Sequence, residues 1–187
     1  MADSNITKKA LAAALKELME TTPFPKISVG DICEKCDMNR KSFYYHFRDK
    51  YDLINWIYNS EFILVIQHRI YDNEWDFIYD ICSYFYDNRI FYSKALQIEG
   101  QNSFSEYFKD VLKAILYEYM RDQFSEKKNA EFYVTFFTDA FVASIIRWLT
   151  DKDCMASDEY VILLKSCIED LAQKIVHSLG ESPSSFN

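Results

Sequence analysis

Three glycines and three prolines are all that punctuate 187 residues. Residues that end a helix cheaply are scarce, so long helices joined by few turns are the favoured fold. Two of the prolines flank one phenylalanine in Thr22-Pro23-Phe24-Pro25-Lys26, a stretch that no helix can cross. No alternation of apolar and polar residues is long enough for a strand, and no internal repeat is present. With 49% of the residues hydrophobic, a packed core is within reach and disorder is not expected. The expected class is all-α, a small N-terminal helical unit joined to a larger one.

Apolar spacing marks the helices between the breaks. Leu11, Ala14, Leu15, Leu18 and Met19 form one stripe, predicting a first helix capped by Ser4 or Asn5 and running to about Glu20. Ser28 then has the form of an N-cap, with Asp31 in the capping-box position, for a second helix to about Cys36. Asp37-Met38-Asn39 makes a short turn, and Asn39 caps a third helix from Arg40 to about Phe47. Two short helices joined by about three residues are the helix-turn-helix pattern. Beyond it the spacing predicts helices over 50–71, 74–87, 89–98, 103–123, 126–150 and 158–179, with Ser125 and Ser157 capping the last two and a frayed tail.

Charge is unevenly spread. Residues 1–53 hold nine Lys/Arg against eight Asp/Glu, and the rest of the chain holds twelve against twenty-one. Within Met38–Lys50 stand Arg40, Lys41, Arg48 and Lys50, with Asp49 as the single acid. The local footprint decides affinity for nucleic acid, so a net charge of −8 does not exclude it. A helix that enters the major groove offers its first residues to base edges. Here these are Arg40, Lys41 and Ser42, whose donors and acceptors suit base edges. Phe43 and Phe47, four apart, face inward. Tyr44, Tyr45 and His46 have polar tips suited to phosphate oxygens. Lys50, and Ser28 at the start of the second helix, are two further candidate phosphate contacts.

Ile27–Tyr58 resembles the TetR/AcrR family of bacterial DNA-binding regulators. The likeness rests on Phe43-Tyr44-Tyr45-His46-Phe47 followed by Lys50 and Leu53, and it covers about residues 6–58. Asp37 departs from the pattern, standing where the family usually has Gly; Asp tolerates a left-handed backbone better than most residues. The C-terminal stretch Arg147–Tyr160 is similar to a subgroup of dihydroxyacetone-kinase regulators. The resemblance implies a DNA-binding domain over 1–48 and a dimerisation and effector-binding domain over 49–187. It also implies a homodimer on a palindromic double-stranded operator, regulated through the C-terminal domain.

Two features of that second domain have more than one reading. Phe62, Tyr79, Tyr92 and Phe108 could wall a pocket for a small, partly polar effector, or they could fill a solid core. In the second case a partner protein would exert control. Val134, Phe137, Phe141, Ser144 and Trp148 are spaced alternately three and four apart, as helix seams are. So are Val161, Leu164, Ile168, Leu171 and Ile175. Such seams pair within one chain, or across a two-fold axis in a four-helix bundle. The candidate dimer residues are Phe137, Phe141, Trp148, Leu164, Ile168 and Leu171.

An enzyme is disfavoured. The chain has three His, no paired metal motif, no phosphate-cradling glycine loop and no nucleophile–base spacing. Cys33-x-x-Cys36 has no second pair to complete a zinc site. No metal or cofactor is expected. No apolar run is read as reaching membrane-spanning length, and the first residues lack the features of a signal peptide. Five cysteines, an odd number, fit reduced thiols. The expected location is the cytoplasm, with no membrane partner.

Overall fold

The computed structural model describes residues 2–71, 73–100, 103–120 and 127–180, and no strand occurs among them. Helix α1 spans Ala2–Thr21 and buries Leu11, Leu15 and Met19. It starts ahead of Ser4 and Asn5, so neither acts as the expected cap. Pro23 leads into a 3-10 turn, Phe24–Lys26, with Phe24 buried. Helices α2 (Val29–Lys35) and α3 (Arg40–His46) follow. Ile32, Cys33, Phe43 and Phe47 are buried in the same core as the α1 stripe, and α1 touches both helices.

Helix α4 (Lys50–Tyr58) runs through a π-helical turn, Asn59–Ile63, into the short α5 (Leu64–Ile66). The spacing predicts a helix to residue 71, but it stops where Gln67, His68 and Arg69 become exposed. Helix α6 (Glu74–Asp87) is capped by Asn73, whose Oδ1 accepts from the Trp75 and Asp76 amides. Then come α7 (Arg89–Ala95), α8 (Phe104–Met120), α9 (Lys127–Thr150) and α10 (Ser157–Gly180). The expected cap at Ser125 and the tail from Glu181 lie outside the described residues. Helix α8 packs on α9, and α10 on α6. One continuous core runs from Leu11 to Val161, across the expected boundary at residue 48.

Two lysines tie α1 to the larger domain. The C-terminus of a helix leaves carbonyls without partners. Lys94 of α7 donates to two of them, Met19 O at 2.5 Å and Glu20 O at 2.7 Å. Lys16 of α1 pairs with Glu61 of the π turn at 2.5 Å. Glu61 also accepts from the Tyr84 hydroxyl at 3.1 Å, and Tyr84 and Tyr92 share a hydrogen bond of 2.7 Å. Burial raises the pKa of the Tyr84 and Tyr92 hydroxyls well above the ordinary tyrosine value. They stay neutral and serve as hydrogen-bonding groups.

One expectation about apolar runs is corrected. Ala130–Thr150 in α9 is long and apolar enough to cross a membrane by length and composition alone. Only 33% of that window is buried. The helix is apolar on two sides: one covers α8, and the other carries Phe132 and Phe136 into solvent.

Candidate nucleic-acid interface

The helix-turn-helix is built by local hydrogen bonds that the sequence spells out. Ser28 Oγ accepts from the Asp31 amide at 3.1 Å, and Asp31 Oδ2 accepts from the Ser28 amide at 2.8 Å. This is a complete capping box. The Ser28 N–H holds the Asp31 carboxyl below its ordinary pKa, with the Ser28 hydroxyl and the Arg40 charge adding to the effect. Helix α2 ends in a Schellman turn: the Met38 amide donates to Cys33 O at 2.8 Å, and the Asp37 amide to Glu34 O at 3.2 Å. That motif needs a left-handed residue, and Asp37 has φ 53°. The aspartate thus adopts the conformation for which the family's glycine is suited.

Helix α3 begins at Asn39, whose Oδ1 accepts from the Ser42 amide at 2.9 Å and from the Ser42 hydroxyl at 3.2 Å. The serine proton is therefore held by the cap, and its Oγ keeps lone pairs that can accept. Phe43 and Phe47 point inward and are buried. Lys41, Tyr44 and Tyr45 are exposed, Tyr45 to 83%. His46 is partly exposed, with its ring edge-on to Tyr45. Arg40 is exposed, but its guanidinium lies back against Gly30 of α2.

Lys50 is placed otherwise than expected. Its ammonium donates to Phe24 O at 2.7 Å and Ile27 O at 2.6 Å, and it sits 4.3 Å from the Phe24 ring centre. Partial burial lowers its pKa. The side chain fastens the 3-10 turn to the start of α4, and its donors face main-chain oxygens instead of a phosphate. Sequence spacing holds no sign of this, because the partners lie more than twenty residues upstream.

The expected effector wall is a packed cluster. Phe62, Tyr92 and Phe108 are buried around Tyr58, with ring centres 5.3, 6.1 and 5.6 Å from it. Phe85 stacks parallel on Tyr58 and meets Phe108 edge-on at 5.0 Å. Tyr79 is exposed and outside this group. Two surface clefts, of about 650 and 440 Å³, involve none of the four residues. The first lies beside Leu96–Gly100; the second lies between α1 and Trp56, Ser60 and Glu61. Phe62, Tyr92 and Phe108 therefore pack together around Tyr58, while Tyr79 faces water.

The candidate dimer residues also divide. Trp148 is buried within the protomer: it stacks on Tyr160 at 4.1 Å and donates to Met155 O at 2.9 Å. Phe141 and Leu164 are partly buried against the protomer's own core. Phe137 and Ile168 are exposed, and the side chain of Leu171 lies outside the described residues. The outward apolar face is a neighbouring one, with Phe132, Phe136 and Phe137 on α9 and Ile162, Leu163 and Ile168 on α10.

A capped pair of short helices presenting a basic, aromatic surface, set on a helical domain, defines a helix-turn-helix regulator of transcription. Residues 10–57 match the model of bacterial regulatory proteins of the tetR family, and residues 72–170 match that of a transcriptional regulator C-terminal region. The chain belongs to the TetR family. It is 28% identical over 182 residues to the HTH-type dhaKLM operon transcriptional activator DhaS of Lactococcus lactis, covering 96% of this chain and 91% of the relative. A solved dihydroxyacetone kinase operon activator DhaS superposes with a TM-score of 0.62 at 25% identity, over 90% of this chain and 96% of that one. A TetR transcriptional regulator from Streptococcus agalactiae has the same fold, with a TM-score of 0.66 at 19% identity, over 87% and 95% of the two chains.

Proposed function

We propose that the protein binds a palindromic operator as a homodimer, through α3, and regulates an operon encoding a kinase of the kind named for its DhaS relatives. The observation that carries this reading is the surface of α3. Lys41, Tyr44 and Tyr45 stand clear of a scaffold whose turns are fixed by the Ser28–Asp31 box, the Asp37 turn and the Asn39 cap. The two copies of α3 would sit about one DNA turn apart, roughly 34–36 Å. The exposed face of α9 and α10 supplies apolar area for the dimer. Its place of action is the cytoplasm, with the DNA.

Control by a partner protein is the favoured form of regulation, because the aromatic cluster around Tyr58 is closed. A regulator shifts the operator-competent spacing only by its differential affinity for the two states. Thermal-shift screening against small molecules, beside capture of partners from the host lysate, separates the two modes of control.

The test of the DNA reading is sequencing of the fragments that the protein captures from its own genome, followed by gel-shift assays. Arg40→Ala and Lys41→Ala are each expected to weaken operator binding by about 1–3 kcal/mol. Scrambled DNA should be affected less. Equal loss on both DNAs would make that residue a phosphate contact.

A further inference from the structure

Gly30 is the second residue of α2, in the first helical turn after the Ser28 cap. No turn or left-handed backbone accounts for it, since its φ is ordinary. What accounts for it is space. A methyl group at Gly30 would come 2.6 Å from Arg40 Nη2 and 3.3 Å from both Cζ and Nε. The Arg40 guanidinium thus lies along the bare surface of α2. A guanidinium is a planar fork, and its reading of a base edge depends on the direction in which the fork is held.

We propose that Gly30 is a specificity-determining position: its missing side chain forms the seat that aims the Arg40 guanidinium at the DNA. This rests on the reading that the start of α3 faces base edges. Gly30 itself touches no base. It acts by positioning Arg40, and a side chain in its place lifts the guanidinium off α2. The obstructing atoms are the far end of a flexible side chain, so Arg40 moves and the helices do not.

The test is selection of binding sites from randomised DNA by the full chain and by Gly30→Ala, Arg40→Ala and the double variant, with melting temperature measured in parallel. Gly30→Ala should melt at the same temperature or higher, since alanine favours a helix. It should relax or change selection, by roughly fivefold or more, at the same base positions that Arg40→Ala relaxes. In the Arg40→Ala background it should change nothing further. Gly30→Ser, of nearly the same size, should repeat the effect and guards against a defect peculiar to alanine. If Arg40→Ala relaxes selection and Gly30→Ala leaves it intact, the seat is refuted while the base contact stands. If Arg40→Ala selects the same sequences as the parent, the base contact itself is refuted, and the seat with it. Additive effects of the two substitutions also overturn the proposal.

Discussion

Lys50 illustrates how one side chain can satisfy two descriptions that differ in their consequences. By position it is the basic residue that follows α3. By geometry it is a clamp, with Phe24 O and Ile27 O on its donors and the Phe24 ring beside it. Lys50→Met removes charge-assisted hydrogen bonds to partly buried carbonyls, which are worth about 1.5–3 kcal/mol. Chemical denaturation should therefore show a loss of that order. The slope of operator affinity against salt should hold steady, because no phosphate is neutralised in this arrangement. A slope reduced by about one, with stability unchanged, would restore the phosphate contact. Asp37 teaches a related lesson. The departure from glycine is real, and the left-handed backbone at φ 53° persists without it, because the Schellman hydrogen bonds around it still form.

Elements were legible where their causes are local. The caps at Ser28 and Asn39, the inward Phe43 and Phe47, and the span of α6 follow from residues within a turn or two of one another. The Lys94 clamp and the Lys16–Glu61 pair join residues 75 and 45 apart along the chain, so periodicity could not disclose them. The seams of α9 and α10 lie between these cases. Spacing alternately three and four apart marks a buried stripe, but not what buries it; Trp148 and Val134 turned out to face the protomer's own core. The same limit applied to Phe62, Tyr92 and Phe108, since aromatic content cannot tell a wall from a filling. The connection of Lys16, Glu61, Tyr84 and Tyr92 can be tested at this scale. Tyr84→Phe strands the buried Tyr92 hydroxyl and should lower stability by about 1–3 kcal/mol. Adding Tyr92→Phe should recover part of that loss, since the stranded group is then gone. Thermal or urea unfolding of Tyr84→Phe, Tyr92→Phe and the double variant measures the coupling, and strictly additive losses would show that the two hydroxyls act independently.

At the scale of the molecule, the protomer carries an apolar face that its own fold does not cover. Phe136→Asp changes a side chain that is 58% exposed in the protomer, so the monomer should keep its helices. Burial of the new carboxylate in a subunit contact should weaken that contact by roughly 2 kcal/mol or more. Sedimentation should find monomers at concentrations where the parent is dimeric, and circular dichroism should find unchanged helix content. An intact dimer would move the interface off this face. Trp148→Ala should do the reverse, lowering protomer stability through the lost Tyr160 stack and Met155 hydrogen bond.

The hydropathy of α9 has a consequence for biosynthesis. Ala130–Thr150 has a composition that a lipid bilayer would accept, and two-sided apolarity is what gives it that composition. An apolar face of this kind left open to water favours non-specific association of a newly made chain. In the proposed homodimer, association covers this face and also brings two copies of α3 to the DNA. Yield should fall most steeply when subunits are made far apart in time, because each must wait longer, uncovered, for a second copy.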